Sequence, residues 1–372
     1  MPSFAAFGND LYTGRRSIDF VGRRRLWYLI AAALMLVSLG AVGLRGLNPG
    51  IEFRGGTEFR ISGTSVTSDV AGVQAVTSVI PQSRPLVTRV GGDSIRVQAD
   101  AIEDADLPRV QAALAKAYQV PADQVSRNFV GPTWGADVTR QALIGLFAFL
   151  GLVAIVIALY FRTWTMAVSA LVALVHDLVL TVGVYALVGF EVTPASVIGF
   201  LTILGYSLYD TVVVFDKVRE NTEHVLGSTK RTFGEAANLA VNQTLVRSIN
   251  TSVVALLPVA AILFIGAYLL GAGTLKDIAL ALFVGIAAGT YSSIFIATPL
   301  LVQLRERDPE QKAQAERVAR RRAELRTERE EPMAAVAAAT RDEVGEPTEN
   351  ASDGAPSLRA HGQRQQPRRK GR

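Results

Sequence analysis

Hydrophobic residues make up 49% of this 372-residue chain, while the 19% that are charged are concentrated in a few blocks. Such segregation is typical of a membrane protein. The formal net charge is +5, and the absence of cysteine excludes disulfides, thiolate metal sites and cysteine nucleophiles.

The N-terminal region combines a basic arm, residues 1–25, with an apolar run over residues 26–44 that is long enough to cross a bilayer as a helix. This run is longer than a typical secretory signal core and lacks a small-x-small cleavage site, so we interpret it as an uncleaved anchor. Basic residues that flank spanning helices stay on the cytoplasmic side. The basic arm, together with a basic tail after Arg305, predicts that both termini are cytoplasmic.

Residues 46–140, which we call the outer domain, have the periodicities of a small folded domain on the opposite side of the membrane. The pattern predicts strand, helix, strand, strand, helix and strand at 57–62, 68–80, 86–90, 94–99, 107–118 and 125–130. The apolar positions at helical spacing are Val70, Val73 and Val76, then Leu107, Val110, Leu114 and Tyr118. This order predicts a ferredoxin-like α+β fold. That fold hosts many functions and by itself assigns none. Because residues 46–140 contain no histidine and no spacing typical of a catalytic or metal site, we interpret the outer domain as a binding or mechanical module.

Five further apolar runs have the ~20 residues that a membrane-spanning helix needs, which gives six predicted transmembrane helices. These five runs cover residues 142–161, 166–188, 194–215, 249–270 and 278–302. Residues 303–372 form a charged tail that is predicted to be largely disordered beyond a charged helix at 305–330. A basic tail beside a membrane is expected to contact anionic lipid, and no specific nucleic acid is expected as a partner.

Asp210 lies inside the fourth predicted span, within GYSLYDTVVVF. A carboxylate in hydrocarbon costs roughly 2.5–3.5 kcal/mol on insertion scales, so it is expected to face protein or a wet path. Thr202, Tyr206 and Asp210 recur every four residues and predict a polar stripe, with Ser207 beside it. Arg247, before the fifth span, is expected at a comparable depth, which predicts an ion pair with Asp210. The alternative is that both charges only reach water at helix ends.

The third span carries a second polar stripe, formed by Asp177, Thr181 and Tyr185, and His176 precedes the aspartate. A paired imidazole and carboxylate can relay protons. Alternatively, the two side chains only bind neighbouring helices as structural contacts.

The sequence predicts no enzymatic activity. The histidines, His176, His224 and His361, lie in a span, an inner connection and the tail, so no hydrolase triad faces the outside. No P-loop or Rossmann glycine pattern lies between a strand and a helix. We therefore expect no metal and no cofactor, and we expect the energy to come from a proton gradient or from a partner.

Five segments of the chain resemble the SecF family of the bacterial protein-export machinery. They are GIEFRGGTEFRI at 50–61, VGPTWGADV at 130–138, VHDLVLTVG at 175–183, GYSLYDTVVVFDKVREN at 205–221 and NQTLVRSINTS at 242–252. The resemblance covers about residues 20–305. It implies half of an assembly of the RND superfamily, with six transmembrane helices in the cell membrane, and SecD as the other half.

The same resemblance implies that the chain assists protein translocation through SecYEG at the outer side, using the proton-motive force while SecA spends ATP. The partners that it implies are SecD, SecYEG, SecA, YajC and the translocating polypeptide. A rival function is a proton-coupled RND-type transporter of a small molecule or lipid. A third is a structural scaffold in which the charges only lock the helices together.

Residue by residue, Asp210 and Arg247 match the proton pathway of the family, and Asp177 matches its helix-three aspartate. Candidate supports of this pathway are His176, Tyr206, Ser207 and Thr211. Two positions depart from the family pattern. Tyr209 stands where asparagine commonly precedes the aspartate, and Val246 stands where a small hydroxyl residue often precedes the arginine.

Gly55 and Gly56 match the family motif at the point where the chain enters the outer domain. Glycine tolerates backbone angles that other residues avoid. The motif therefore predicts a turn of unusual backbone geometry there.

Overall fold

The computed structural model describes residues 4–90, 93–269 and 273–342. In these ranges, six helices are long and apolar enough to cross a membrane. They are Arg24–Arg45, Thr133–Phe161, Trp164–Val188, Pro194–Gly227, Phe233–Gly266 and Lys276–Arg305. The predicted set of six is confirmed in number and order, although most of the helices extend past the apolar run that predicted them.

The elements are numbered here in chain order. They are α1 (Phe4–Tyr12), α2 (Arg24–Arg45), β1 (Asn48–Pro49), α3 (Ile51–Arg54), β2 (Gly56–Ile61), α4 (Asp69–Val79), β3 (Leu86–Val90), β4 (Ser94–Ala99), α5 (Leu107–Ala117), β5 (Val125–Val130), α6 (Pro132–Phe161), α7 (Trp164–Val188), β6 (Glu191–Val192), α8 (Pro194–Thr222), α9 (Phe233–Ala261), α10 (Gly273–Ser292), α11 (Thr298–Arg305) and α12 (Pro309–Asp342). Two π-helical segments, Ile262–Leu269 and Ser293–Ala297, continue α9 and join α10 to α11.

The outer domain contains a four-stranded sheet in the order β3-β4-β2-β5, and every neighbouring pair is antiparallel. Strand β2 lies between β4 and β5, so the strands of the two halves interleave as in a split βαβ fold. Phe59 on β2 lies opposite Val97 on β4, and both are fully buried. The predicted ferredoxin-like domain is confirmed.

The two helices of the outer domain differ in how well their buried faces were predicted. On α5, Val110 and Leu114 are fully buried, as expected. On α4, Val76 is buried, but Val70 is 60% exposed, whereas Gly72 is among the buried residues. A Cβ on Gly72 would lie 2.5 Å from the Tyr118 hydroxyl oxygen, so this small residue lets the helix approach the core closely.

The Gly55-Gly56 pair has the unusual backbone angles that the motif predicts, with φ values of 78° and 143°. A Cβ on Gly56 would lie 2.5 Å from the carbonyl oxygen of Ala99. The close approach of β4, as well as the positive φ, therefore requires glycine at this position.

The C-terminal limit of the outer domain, predicted at residue 140, is wrong, because α6 already begins at Pro132. Proline at the first position of a helix is favourable, since its missing N–H has no partner there. A Cβ on Gly135 would lie 2.6 Å from the carbonyl oxygen of Phe53, so α6 passes close to α3. The helix begins outside its apolar run and continues into it.

The fifth spanning helix also starts earlier than predicted, at Phe233 instead of Ile249. Thr232 and Glu235 form a capping box that begins it, with each side chain bonded to the other residue's backbone N–H. The predicted span was too short because the polar start of the helix carries no apolar pattern. Leu270, its predicted last residue, lies outside the described residues.

Helices α8 and α10 approach each other at glycine positions, as small residues in membrane helices allow. A Cβ on Gly289 would lie 2.9 Å from the Cβ of Ser207, and a Cβ on Gly199 would lie 2.7 Å from that of Ala281. This approach brings the polar residues of the two helices within hydrogen-bonding distance.

The basic arm is bound to the N-terminal half of α9. Asn242 Oδ1 accepts from Ile18 N at 2.8 Å, and Asn238 Oδ1 accepts from Phe20 N at the same distance. The charged tail forms α12 from Pro309 to Asp342, so the charged helix predicted at 305–330 is present over residues 309–330, and the predicted disorder is wrong for residues 331–342. Residues 343–372 lie outside the described part of the chain.

Candidate functional site

Asp210 on α8 is 4% exposed and is held by two hydroxyl groups from other helices. Ser248 Oγ on α9 donates to Oδ1 at 2.8 Å, and Ser293 Oγ donates to Oδ2 at 2.6 Å. Ser293 is the first residue of the π-helical segment Ser293–Ala297. Both carboxylate oxygens therefore have a donor, which is what a buried carboxylate requires.

The predicted ion pair between Asp210 and Arg247 is wrong for this structure. Arg247 is exposed, and it is Ser248, the next residue, that contacts Asp210. Successive residues of an α-helix project about 100° apart, so one of the two faces the carboxylate and the other does not. Helix α9 is oriented by the buried face that includes Thr244, Ser248 and Ser252, and this leaves the guanidinium outside.

Asp177 on α7 is 1% exposed and lies in a similar environment. Its Oδ2 accepts from Ser207 Oγ at 2.5 Å and from Ser292 Oγ at 2.7 Å. Its Oδ1 lies 3.1 Å from Nδ1 of His176, which confirms that the predicted imidazole and carboxylate are paired. Ser207, which the sequence placed beside Asp210 on α8, is bonded to Asp177 instead.

Ser292 and Ser293 thus reach one carboxylate each from a single helix. Sequence analysis missed both of them, and it missed Ser248. Serine is common in membrane helices, so its presence in a span does not reveal what it contacts. The available signal was the pair of adjacent hydroxyls inside an apolar run, in YSSIF at 291–295.

The other residues that the sequence placed around Asp210 differ in burial and in their hydrogen-bond partners. Tyr206 donates to Ser252 Oγ at 3.4 Å, and Ser252 also accepts from Thr290 at 2.6 Å. The Thr211 hydroxyl is buried without a hydrogen-bond partner among the described residues. Thr202 is exposed, so the predicted stripe with Tyr206 and Asp210 does not face this chain's interior along its whole length.

The arrangement suits proton binding. A hydroxyl group both donates and accepts, so it is able to bond a carboxylate in its ionised and in its protonated form. Among the residues that the structure describes, no group of three metal-ligating side chains is placed to hold a metal ion. The chemistry of Asp177 and Asp210 is therefore that of two hydroxyl-bound carboxyl groups.

A second cluster of charges joins the outer domain to the bundle. Arg96 Nη1 on β4 lies 3.1 Å from Glu191 Oε2 on β6, and Arg96 Nε lies 3.6 Å from Glu58. Glu52 on α3 lies beside them, and burial raises its pKa, which Glu191 and Glu58 raise further. Strand β1 pairs in parallel with β6, so backbone and side chains both make this connection.

Comparison with known proteins identifies the family. The profile described as "Protein export membrane protein SecD/SecF, C-terminal" matches residues 109–307, and "SecD/SecF GG Motif" matches residues 40–63. The protein translocase subunit SecF of Streptomyces coelicolor is 44% identical over 372 residues, which are 100% of this chain and 97% of that protein. The chain belongs to the SecF family of protein translocase subunits.

Two further similarities extend across the family. SecF of Rhodothermus marinus is 37% identical and covers 77% of this chain and 93% of its own length. The crystal structure of SecDF from Thermus thermophilus, described as a translocon-associated membrane protein, matches with a TM-score of 0.69 at 31% identity. The match covers 78% of this chain but 39% of that one, so most of the SecDF chain has no counterpart here.

The two departures from the SecF pattern lie away from Asp210. Tyr209 is 55% exposed, on a different side of α8 from the buried aspartate. Val246 contacts the basic arm, since a Cβ on Gly8 would lie 3.3 Å from its Cγ2. Neither residue is a hydrogen-bond partner of the Asp210 carboxylate, whose partners are Ser248 and Ser293.

Proposed function

We propose that this SecF-type subunit assists protein translocation through SecYEG at the outer side of the cell membrane, driven by the proton-motive force. The observation that carries the proposal is the buried pair of carboxyl groups, Asp177 and Asp210, each bonded to hydroxyls from neighbouring helices. Ionisable groups placed in this way inside membrane helices are typical of proton relays.

The proposed coupling step is the neutralisation of a carboxylate. An ionised Asp210 accepts charge-assisted hydrogen bonds from Ser248 and Ser293, and these contacts hold α9 and the π-helical segment against α8. Protonation weakens both contacts and removes the cost of burying the charge. Two states that differ by one charge form a switch between two helix arrangements.

We propose that SecD covers the exposed face of α9. Arg247 shares this face with Val254 and Leu257, which are 67% and 64% exposed. A guanidinium on a membrane-spanning helix is costly when it contacts lipid. A partner that brings an anionic group to Arg247 removes that cost, and the SecDF relative carries a further portion in the same polypeptide.

The outer domain transmits the motion in this proposal. It is joined to the bundle through β1, β6 and the Arg96–Glu191 contact, so a shift of the helices displaces it. We propose that the outer domain holds an emerging polypeptide.

The remaining proposals concern topology and partners. We propose that both termini are cytoplasmic, and that SecA and YajC belong to the same assembly. We further propose that the chain has no catalytic activity and no cofactor, and that the proton gradient supplies the energy.

The test is export of a secreted reporter in cells depleted of the native protein and supplied with Asp210→Asn, Asp177→Asn or Arg247→Met. Asp216→Asn is the matched control, because Asp216 lies on the same helix and is exposed. Protein level and co-purification of SecD are measured for every variant. We expect export to fall to the depleted level with Asp210→Asn while SecD still co-purifies, and Asp216→Asn to export normally.

Three outcomes contradict the proposal. Normal export with Asp210→Asn excludes a role for this carboxyl group in coupling. Loss of SecD co-purification in step with loss of export, in every variant, supports the structural scaffold instead. Unchanged protein export together with loss of a small-molecule or lipid transport activity supports the transporter.

A further inference from the structure

The sixth membrane helix changes from α to π geometry at Ser293, next to both buried carboxyl groups. Ser292 and Ser293 are both fully buried. Because consecutive residues of a helix project in different directions, the two hydroxyls reach two different helices. Ser292 bonds Asp177 on α7 at 2.7 Å, and Ser293 bonds Asp210 on α8 at 2.6 Å.

Each of these serines has a second acceptor on its own helix. Ser292 Oγ lies 3.2 Å from the carbonyl oxygen of Gly289, and Ser293 Oγ lies 3.3 Å from that of Thr290. A hydroxyl has one proton, so it donates to one acceptor at a time. The shorter distances favour donation of the proton to the carboxylates in this structure.

Protonation of a carboxylate reverses one of these bonds. The new carboxyl O–H donates to the serine oxygen, and the serine proton is then free to bond the carbonyl three residues earlier. Serine bonding of this kind to its own helix backbone bends helices. π-Helical segments interrupt the regular backbone bonding of α-helices and are frequent at functional sites.

We propose that Ser292 and Ser293 are positioning residues that couple proton binding at Asp177 and Asp210 to the shape of the sixth helix. Each serine donates to its carboxylate when that group is ionised and to its own helix when the group is protonated. One helix therefore responds to both carboxyl groups. This inference rests on the proposed function, and it adds the residues that convert the proton into movement.

Few of the residues that the structure describes are charged or titratable groups close to the two carboxyls. Tyr206 lies one turn before Asp210 on α8, and its hydroxyl donates to Ser252 on α9. His176 on α7 pairs with Asp177, and its ring lies 6.0 Å from that of Tyr291 on α10. On α9, Arg247 is exposed and does not face them.

The same helix offers a matched control. Thr298, which begins α11, is fully buried, and its hydroxyl has no hydrogen-bond partner in the described ranges. Thr298→Ala thus removes a buried hydroxyl of the sixth helix without touching either carboxyl group. Ser293→Thr serves as the conservative variant, because threonine keeps the hydroxyl.

The experiment is an infrared pH titration of the complete complex with SecD, purified and returned to lipid vesicles. The C=O stretch of a protonated carboxyl group is followed, and Asp210→Asn and Asp177→Asn assign the two bands. We expect Ser293→Ala to raise the midpoint of the Asp210 band by about one pH unit, because the ionised form loses a donor. Ser292→Ala is expected to shift the Asp177 band in the same direction. Ser293→Thr and Thr298→Ala are expected to titrate like the wild type.

The outcomes separate this inference from the proposed function. If Ser293→Ala titrates like Thr298→Ala while Asp210→Asn abolishes export, the serine proposal is overturned and proton coupling stands. If the wild-type Asp210 band does not titrate and Asp210→Asn exports normally, the proposed function fails and the serine proposal fails with it. A Ser293→Ala protein that does not assemble is replaced by Ser293→Thr and Ser292→Thr in export assays across external pH. Loss of the wild-type pH profile in both of these folded variants also overturns the proposal.

Discussion

Arg96 on β4 and Glu191 on β6 form an ion pair across the boundary between the outer domain and the membrane helices, with Nη1 and Oε2 3.1 Å apart. The two side chains are 15% and 12% exposed, so little water screens the contact. Gln98 donates to the other oxygen of Glu191 at 2.5 Å. The Glu191 carboxylate, on β6 between α7 and α8, therefore binds two residues of strand β4.

We expect Glu191→Ala to loosen this junction. Removing one partner leaves Arg96 in a largely buried position with Glu58 as its remaining ion-pair partner, which costs on the order of 2 kcal/mol. Amide hydrogen exchange in β1 and α3 of the purified chain should accelerate by roughly tenfold or more. Arg109→Ala is the control, since its ion pair with Asp106 is on the surface. Equal exchange in the two variants contradicts a joining role for Glu191.

The base of the outer domain should become less stable as the pH rises. Burial raises the pKa of Glu52, and the carboxylates of Glu191 and Glu58 raise it further, while Arg96 lowers it. A carboxyl group whose pKa is higher in the folded state binds a proton on folding. The contribution of Glu52 to the free energy of unfolding is therefore largest below the ordinary glutamate pKa of 4.5, and it falls as the pH rises through the pKa of the folded state.

Exchange of the α3 amides, corrected for intrinsic rates, measures this dependence between pH 4.5 and pH 7. We expect protection to decline over this window in the wild type, and Glu52→Gln to flatten the decline. Glu103→Gln, at an exposed position of the same domain, should keep the wild-type slope. A wild-type slope in Glu52→Gln shows that another group is responsible.

Gly56→Ala should destabilise the outer domain by about 2 kcal/mol or more, because it adds strain at a φ of 143° to a clash with the Ala99 carbonyl oxygen. Thermal unfolding followed by circular dichroism measures the change. Gly131→Ala is the matched control, since a Cβ there meets only Thr133, at 3.9 Å. Similar melting temperatures for the two variants would show that the backbone at Gly56 relaxes without cost.

Asn242→Ala should release the basic arm from α9. The Asn242 amide accepts from Ile18 N and donates to Ile18 O at 2.9 Å, and the side chain is 1% exposed. Losing two buried hydrogen bonds costs about 2 kcal/mol, so trypsin cleavage after Arg15 and Arg16 should accelerate at least tenfold. Asn250→Ala, on an exposed part of the same helix, should be cleaved at the wild-type rate.

Local patterns predicted the elements well where burial is one-sided. The face of α5 was predicted correctly because its apolar residues meet a sheet on one side and water on the other. The same reasoning failed for α4, where Gly72 packs closely and Val70 is exposed. Helical spacing locates a helix, but the space left by its neighbours decides which residues face inward.

In the membrane helices, too, the sequence pattern locates the helices but does not decide which residues are in contact. Apolar length predicted six spans, and the cost of burying charge singled out Asp177 and Asp210, because both depend on composition along the chain. The partner of Asp210 was decided by the rotation of α9, which selects Ser248 over Arg247. The link from both carboxyls to the sixth helix depends on the direction of two adjacent serines. Sequence fixes which residues a span contains, whereas helix rotation and close packing, which depend on every neighbour at once, decide which hydroxyl meets which carboxylate.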